Sequence, residues 1–391
     1  MNTRWLVCIS LFFTSFVSGF AQQKGLAERP EPPASASPDV ANRQITLDVV
    51  VADKSGKPIP GLRQQDFTLV DNKQPQKIVS FRAAEGGGAT AVKGGGGSAV
   101  EPGSATAAEP GSATADEPME MILLVDQVNT DFTALASARK EIVKFLGRNG
   151  GQLALPASMV FLSEAGGTVG ETPTRDGSAL IAELNQKPSS ARTNQSRTHG
   201  FYNDRERLEF SVHTLEQVAD YEATIPGRKL AIWISSGWPL LSSPRGELGS
   251  KAKQWVFDTV VALSDRLRRA RITLYDIDPA GVVADTDGLR GLAYRRFLTP
   301  VKTLGQALPG SVALQVLASQ SGGLVLNSND VAGEIATCVA DASASYALSF
   351  DGLPGDGPNE YHALEVTVNR PGLTARTRSG YYAQPERAPA R

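Results

Sequence analysis

Two kinds of hydrophobic pattern divide the chain. Near the start, Ile45, Leu47, Val49 and Val51 alternate with polar neighbours, the period of a strand with one buried face. Asp53-Lys54-Ser55-Gly56-Lys57-Pro58 then supplies turn chemistry, and Phe67, Leu69 and Ile78 to Phe81 predict two more strands. The same period returns near the end, at Tyr346, Leu348 and Phe350 and at Leu364, Val366 and Val368. Asn369-Arg370-Pro371-Gly372 then turns the chain into a last strand ending at Tyr381-Tyr382. Neither β segment, 43–82 or 343–383, holds enough residues to close a core alone without staples. The expectation is one β-sandwich assembled from both, with everything between them inserted.

The middle, 119–342, reads differently. Met121 to Val125, Ala157 to Leu162, Lys229 to Ile234, Ile272 to Ile277 and Leu324 to Leu326 are short apolar runs of the type found in strands buried on both faces. Helical patterns lie between them. From Asp204 to Glu222, Leu208, Val212, Leu215 and Ala219 fall on one helical face, and from Lys251 to Arg269 Trp255, Thr259, Ala262 and Leu263 do the same. A further helix is expected at 178–186. Alternating strands and helices predict an α/β fold, a doubly wound, mostly parallel sheet with helices on both faces.

Between the first β segment and this region, residues 83–118 offer almost nothing to a core. Gly86 to Gly88, Gly94 to Gly97 and Glu-Pro-Gly-Ser-Ala-Thr at 101–106 and again at 109–114 mark a linker. Those glycines follow no strand and lack the Lys-Ser/Thr ending of a phosphate loop. Segments 22–42 and 384–391 read as flexible. The first 21 residues have Arg4, an apolar run from Trp5 to Val17 and Gly19-Phe20-Ala21, the signature of a secretory signal cleaved after Ala21. The apolar run is shorter than the ~20 residues that cross a bilayer, so the expectation is an exported mature chain, periplasmic or extracellular, with no transmembrane segment. Cys8 leaves with the signal. Cys338 then stands alone, without an internal disulfide partner, and reads as a buried thiol on a helix.

Length and charge narrow the function. At 391 residues and roughly 150 per domain, the chain fits two domains or one large domain with a smaller companion. With 39 Lys+Arg against 41 Asp+Glu and a net charge of -2, it has no positive field for nucleic acid. Arg266, Arg268, Arg269 and Arg271 form a basic run near a helix end and read as a solvated face. Catalytic patterns are sparse. His199, His213 and His362 stand in no metal-ligand spacing, and Ser235 and Ser236 follow Trp233-Ile234 rather than a nucleophile elbow. Asp285-Thr286-Asp287-Gly288 lacks the opening Asp and closing Glu of a calcium loop, and the long connection 281–310 could wall a site.

A doubly wound sheet binds ligands beyond the carboxyl ends of its strands, which nominates Asp126-Gln127-Val128-Asn129-Thr130, Thr172-Pro173-Thr174-Arg175-Asp176, Ser235-Ser236-Gly237 and Asp276-Ile277-Asp278-Pro279. Caps and turns account for these residues as well. Asn129, Thr130 or Asp131 suits an N-cap, Thr174 with Asp176 suits another, and Asp276 and Asp278 suit a turn before Pro279.

An Asp ending the first buried strand, hydroxyl residues opening a helix, and Pro226-Gly227-Arg228-Lys229 before a strand ending in Ser-Gly resemble a von Willebrand factor type A (VWA) domain. Leu47-Asp48-Val49-Val50-Val51, Asp66-Phe67-Thr68-Leu69-Val70-Asp71 and Arg378-Ser379-Gly380-Tyr381-Tyr382 are similar to exported VWFA-related proteins of acidobacterial type. The resemblance covers 43–82 and 119–383. It implies protein binding or adhesion at a divalent-cation site written Asp-x-Ser-x-Ser, completed by a second-loop Thr and a third-loop Asp, with Mg²⁺ or another divalent ion between chain and partner. On that pattern Asp126, Thr130 and Thr174 are the metal positions, and Asn129, Ser235, Ser236, Trp238, Asp276 and Asp278 face the partner. Val128 stands where a Ser belongs and Ser236 where the Asp belongs, which removes one ligand and one charge and makes the site degenerate. Two other readings remain open. One is a metal-independent cell-envelope assembly factor that binds through Trp238-Pro239-Leu240-Leu241, and the other is a metal-dependent hydrolase using the same crevice.

Overall fold

The computed structural model describes residues 43–83, 118–163, 166–168, 172–187, 204–242, 246–281 and 294–386. The signal segment, the 22–42 segment, His199, the Asp285 to Gly288 turn, nearly all of the 83–118 linker and the last five residues of the tail lie outside them.

The α/β part is built on β5 (Met119–Asp126), β6 (Gln152–Ser163), β7 (Gly166–Thr168), β8 (Thr174–Asp176), β9 (Arg228–Ile234), β10 (Ile272–Ile277) and β11 (Val325–Leu326). The sheet order is β11-β10-β9-β5-β6-β7, with β8 also paired to β6. The β5, β6, β9, β10 and β11 pairings are parallel, while β7 and β8 run antiparallel to β6. All seven residues of β9 and the last six of β5 are buried, as a strand covered on both faces requires. The helices are α1 (Phe132–Leu146), α2 (Gly177–Gln186), α3 (Asp204–Glu222), α4 (Ser250–Arg269), α5 (Leu314–Ser321) and α6 (Val331–Ala340). Met121, Leu123, Val125 and Ile232 pack under α1, α2 and α6, while Ile122, Leu124, Ala231 and Trp233 pack under α3, α4 and α5. Each of the Met, Leu, Val and Ile side chains among them contributes about 1.5–3 kcal/mol. From β5 the chain moves outward to β6 and later returns to β9 on the other side, so the crevice between β5 and β9 is the switch point of the sheet.

Along α3 the buried positions include the expected Leu208, Val212, Leu215 and Ala219. In α4 the buried face is Val256, Thr259, Val260, Leu263 and Leu267, with Trp255 and Ala262 only half-buried. The apolar stripe is turned by about one residue because Val256, Val260 and Leu267 reach the sheet and the larger Trp255 sits at the edge of the core.

The two chain ends make the companion layer. Strands β1 (Gln44–Asp53), β2 (Phe67–Asp71), β3 (Gln74–Gln76) and β4 (Ser80–Ala83) combine with β12 (Ser345–Asp351), β13 (Glu360–Val368), β14 (Leu373–Arg376) and β15 (Gly380–Ala383). They form two sheets, β14-β1-β12-β4 and β15-β13-β2-β3. Leu47 lies opposite Leu348 and Leu69 opposite Val366, so each sheet needs strands from both ends of the chain. Between the sheets, Leu47, Val49, Leu69, Tyr346, Phe350 and Val366 form one core. Asp71 is fully buried beneath it, accepting from Tyr381 Oη at 2.7 Å and lying 3.0 Å from His362 Nδ1.

Ion pairs fasten this sandwich to the α/β part. Arg271, which follows α4, bonds Asp48 of β1. Arg376 of β14 bonds Asp341, which also accepts from Tyr275 Oη at 2.8 Å. Gly322 ends α5 with φ +90, and a Cβ there would meet the Thr377 backbone at 2.7 Å, so the close approach of the two parts needs a glycine at this point. The basic run expected as a solvated face is instead largely paired. Arg266 bonds Glu216 and Asp220, and Arg268 and Arg269 bond Asp265.

Candidate functional site

At the carboxyl end of β5, Asp126 is completely buried and its carboxylate is crowded with donors. Oδ1 accepts from the backbone of Val128 at 3.0 Å and Asn129 at 2.9 Å. Oδ2 accepts from Asn129 Nδ2 at 2.8 Å, Trp233 Nε1 at 3.0 Å and Ser235 Oγ at 3.0 Å. Burial pushes this carboxyl above its ordinary range, and the hydrogen bonds from Asn129, Trp233 and Ser235 pull the other way. One side chain thus fixes the turn after β5 and ties it to the turn after β9. The following residues open α1, where Asp131 is the cap and accepts from the backbone of Thr133 and Ala134. Neither Asn129 nor Thr130 performs that task.

The turn after β9 lies beside it. Ser235 Oγ also accepts from Gly237 N at 3.1 Å. Gly237 has φ +92, and a Cβ there would meet Gln315 Nε2 of α5 at 2.7 Å, so this turn sits directly against α5. Trp238 folds back into the core at 5% exposure, edge-on to Trp233 with ring centroids 5.0 Å apart. Asp276 stands level with Trp233 on the neighbouring strand and is also completely buried. Neither of its oxygens has a hydrogen bond of normal geometry, although the Gln315 amide lies close enough to temper its charge. Burial, with the nearby charges of Asp278, Glu334 and Asp126, holds its carboxyl well above the ordinary range.

The structure brings Asp126, Asn129, Ser235 and Ser236 together, with Thr130 adjoining in sequence and Asp276 one strand further across. It does not bring Thr174. That residue pairs with Ala157, which lies opposite Met121, five residues before Asp126, or about 16 Å down the strand. The reason is local: Asp176 caps α2 and Thr174 Oγ1 accepts from its backbone N–H, which commits the segment to starting that helix. Three residues expected to face a partner are buried, namely Ser235, Trp238 and Asp276. Asn129, Ser236 and Asp278 are half-buried. Sequence reasoning passed over Phe132, which is 50% exposed at the start of α1. An apolar residue directly after an N-cap was its only signal. Trp233 as a donor to Asp126 was also missed, because a tryptophan inside a buried run reads as core.

These residues do not fit a divalent cation held in the VWA manner. The Asp126 carboxylate already accepts five hydrogen bonds, Val128 offers a 5%-exposed apolar side chain, and Thr174 is out of reach. Among the described residues no group of three or more His, Cys, Asp or Glu is placed to hold a metal, and no helix is long and apolar enough to cross a membrane. Elsewhere, the Cys338 thiol is buried and pushed up by that burial, His213 is exposed on α3, and His362 is enclosed in the sandwich.

No family model matches the chain, and no curated protein matches it in sequence. Among solved structures it is similar to the VWA domain of SpRpn10, at 12% identity over 56% of this chain and 95% of that one, with a TM-score of 0.28. It is also similar to the human COPII-coat protein Sec24c, at 8% identity over 68% of this chain and 44% of that one, with a TM-score of 0.29. The fold class rests on the chain's own sheet order rather than on these low scores.

Proposed function

We propose that this chain is an exported, non-enzymatic protein-binding module whose partner meets the strand-end face of the α/β part without a bridging metal ion. The observation that carries the reading is the face itself. A half-exposed aromatic, Phe132, stands beside loops that Asp126 locks in place, and an exposed aromatic on a rigid support is the usual anchor of a protein interface. The metal-independent form is favoured over adhesion through Mg²⁺ because the Asp126 oxygens are spent on internal donors. The apolar segment it would use is narrower than the sequence suggested: Trp238 is core, while Pro239, Leu240 and Leu241 are half-buried.

A photo-crosslinking amino acid placed at Phe132, or at Glu365 on the exposed face of β13 as control, tests the reading in intact cells of the producing organism. Discrete adducts from position 132, unchanged by EDTA and missing from position 365, are expected. Equal patterns from both positions, or none, sink it. Mass spectrometry of the recovered chain checks export, with Gln22 expected as the first residue.

A further inference from the structure

The atoms left unbonded at this face indicate what a partner brings to it. Asp126 Oδ2 gathers Asn129 Nδ2, Trp233 Nε1 and Ser235 Oγ, so the turn after β5 and the turn after β9 are drawn onto one oxygen. Asn129 spends its amide hydrogens on Asp126 and on Ser211 Oγ, the latter at 2.8 Å. Its Oδ1 is left without a donor, as are Thr130 Oγ1 and Ser236 Oγ in the next position of each turn. One strand across, the two oxygens of the fully buried Asp276 have no hydrogen bond of normal geometry, and this carboxylate feels Asp278, Glu334 and Asp126. The Thr130 and Ser236 hydroxyls can donate as well as accept, while Asn129 Oδ1 and the Asp276 oxygens are acceptors in search of a donor. Trp238 Nε1, a further donor without a partner, lies in the core.

Charge points the same way. Segments 126–132, 235–242 and 276–281 contain no Lys or Arg. At the start of α3, which Ser211 brings against Asn129, Arg205 and Arg207 are already paired with Glu209 and Asp204. Lys251 and Lys253 belong to the first turn of α4 and stand outside these loops. A buried acceptor without a donor is unfavourable until one arrives, and a buried carboxylate without a counter-charge more so.

Resting on the strand-end reading, we infer that the crevice between β5 and β9 takes a lysine or arginine side chain of a protein partner. These atoms are closed to solvent in the free chain, so entry parts the two turns, and the N–H groups of the side chain then go to Asn129 Oδ1, Thr130 Oγ1 and Ser236 Oγ, above Asp276. The aliphatic stem of that side chain lies along the exposed Phe132 ring, which favours a cation near its face. An acidic side chain from the partner meets repulsion there, the reverse of what a site with a bound cation selects.

The test uses the purified chain on immobilised short peptides in a Gly/Ser background that carry Lys, Arg, Gln or Glu at their centre, each in EDTA and in millimolar Mg²⁺. Retention on the Lys and Arg peptides, absent from the Gln and Glu peptides and indifferent to Mg²⁺, is expected. Thr130→Val combined with Ser236→Ala removes only unbonded oxygens, so the variant keeps its fold, checked by thermal unfolding, yet loses at least about tenfold in retention. Glu365→Gln on the sandwich changes nothing. Equal retention by the double variant would mean undirected charge attraction and overturns the inference, as does failure of the chain to hold any basic peptide. Retention on Glu peptides that needs Mg²⁺ and is lost in the double variant also overturns it, while leaving protein binding at this face intact.

Discussion

Adjacent residues of β10 serve two buried carboxylates in opposite ways. Tyr275 turns to one face of the sheet and donates to Asp341, which Arg376 also bonds. Asp276 turns to the other face, where neither carboxylate oxygen has a normal hydrogen bond. The first carboxylate helps fasten the sandwich to the α/β part, together with the Arg271–Asp48 pair, and belongs to an interface the chain makes with itself. The second lies beneath the strand-end face. Exceptions away from the face include Arg228 Nε and Nη1 and Glu120 Oε1 at the fastened end and His362 Nε2 within the sandwich, each buried without a partner. Where a fold meets itself its polar groups are mostly matched. Acceptors left unmatched near a surface mark a place where matching comes from outside.

The largest effect expected is at the residue that holds the open end in shape. Asp126→Ala strands the Trp233 Nε1, Ser235 and Asn129 donors in a dry environment, and urea unfolding should show a loss of about 3 kcal/mol or more. The loss should be the same in EDTA and in Mg²⁺, because it comes from hydrogen bonds. A variant that loses stability only when Mg²⁺ is present would show that Asp126 holds a cation after all. Arg376→Met acts at the fastened end. It leaves Asp341, whose side chain is 6% exposed, with only Tyr275. Since Arg376 itself is 28% exposed, the penalty for breaking a buried pair is discounted to about 2 kcal/mol. If Arg376→Met proves neutral, the junction is held by apolar packing and the contrast between the two carboxylates loses its meaning.

These two residues also show what a sequence can reveal. Alternation at Ile45 to Val51 and at Tyr346 to Phe350 identified strands whose pairing, Leu47 with Leu348, spans the whole inserted domain, because one-sided burial writes a period of two into a strand. The position of Asp126 at the end of a buried run was legible for a similar reason. Two of its five donors were not, since Trp233 of β9 and Ser235 just after it lie more than a hundred residues away. Thr174 was misplaced because a hydroxyl next to a helix start looks alike whether it faces a crevice or lies partway down a sheet edge. Arg271 looked like part of a solvated run, and only the docking of β1 against it gives it Asp48. Patterns within an element survive in sequence, whereas partners brought by tertiary contact do not.

Asp276 sharpens the comparison in the opposite direction. Its carboxyl is raised well above the ordinary value, so between the unfolded value of about pH 4 and that raised value the folded chain holds a proton that the unfolded chain has released. Stability from this group is therefore present below about pH 4 and is lost as pH rises through the folded value. Asp276→Asn removes that slope. Thermal or urea unfolding at pH 7 should show a gain of about 1–2 kcal/mol, shrinking towards pH 4. The same variant should hold the basic peptides less well, since a partner's cation displaces the Asp276 proton and gains a counter-charge there, which asparagine cannot supply. A destabilised variant at pH 7 would mean that Asp276 has a bonded role like that of Asp341.

Phe132 gives the smallest change in stability and separates folding from binding most clearly. The ring is half-exposed and follows the Asp131 cap, whose own bonds to Thr133 and Ala134 do not involve the ring. Phe132→Ser should stay within about 0.5 kcal/mol of the parent chain in urea unfolding, as surface substitutions away from special features do. Retention on the Lys and Arg peptides should nevertheless fall, because the aliphatic stem loses the surface it lies on while Asn129, Thr130 and Ser236 still accept its hydrogens. The fall should be partial, and addition of Ser236→Ala should deepen it. A Phe132→Ser chain that binds as well as the parent would place the partner's contacts entirely on the polar turns. One that unfolds readily would make Phe132 a structural residue, and the anchor of the face would have to be sought among Pro239, Leu240 and Leu241.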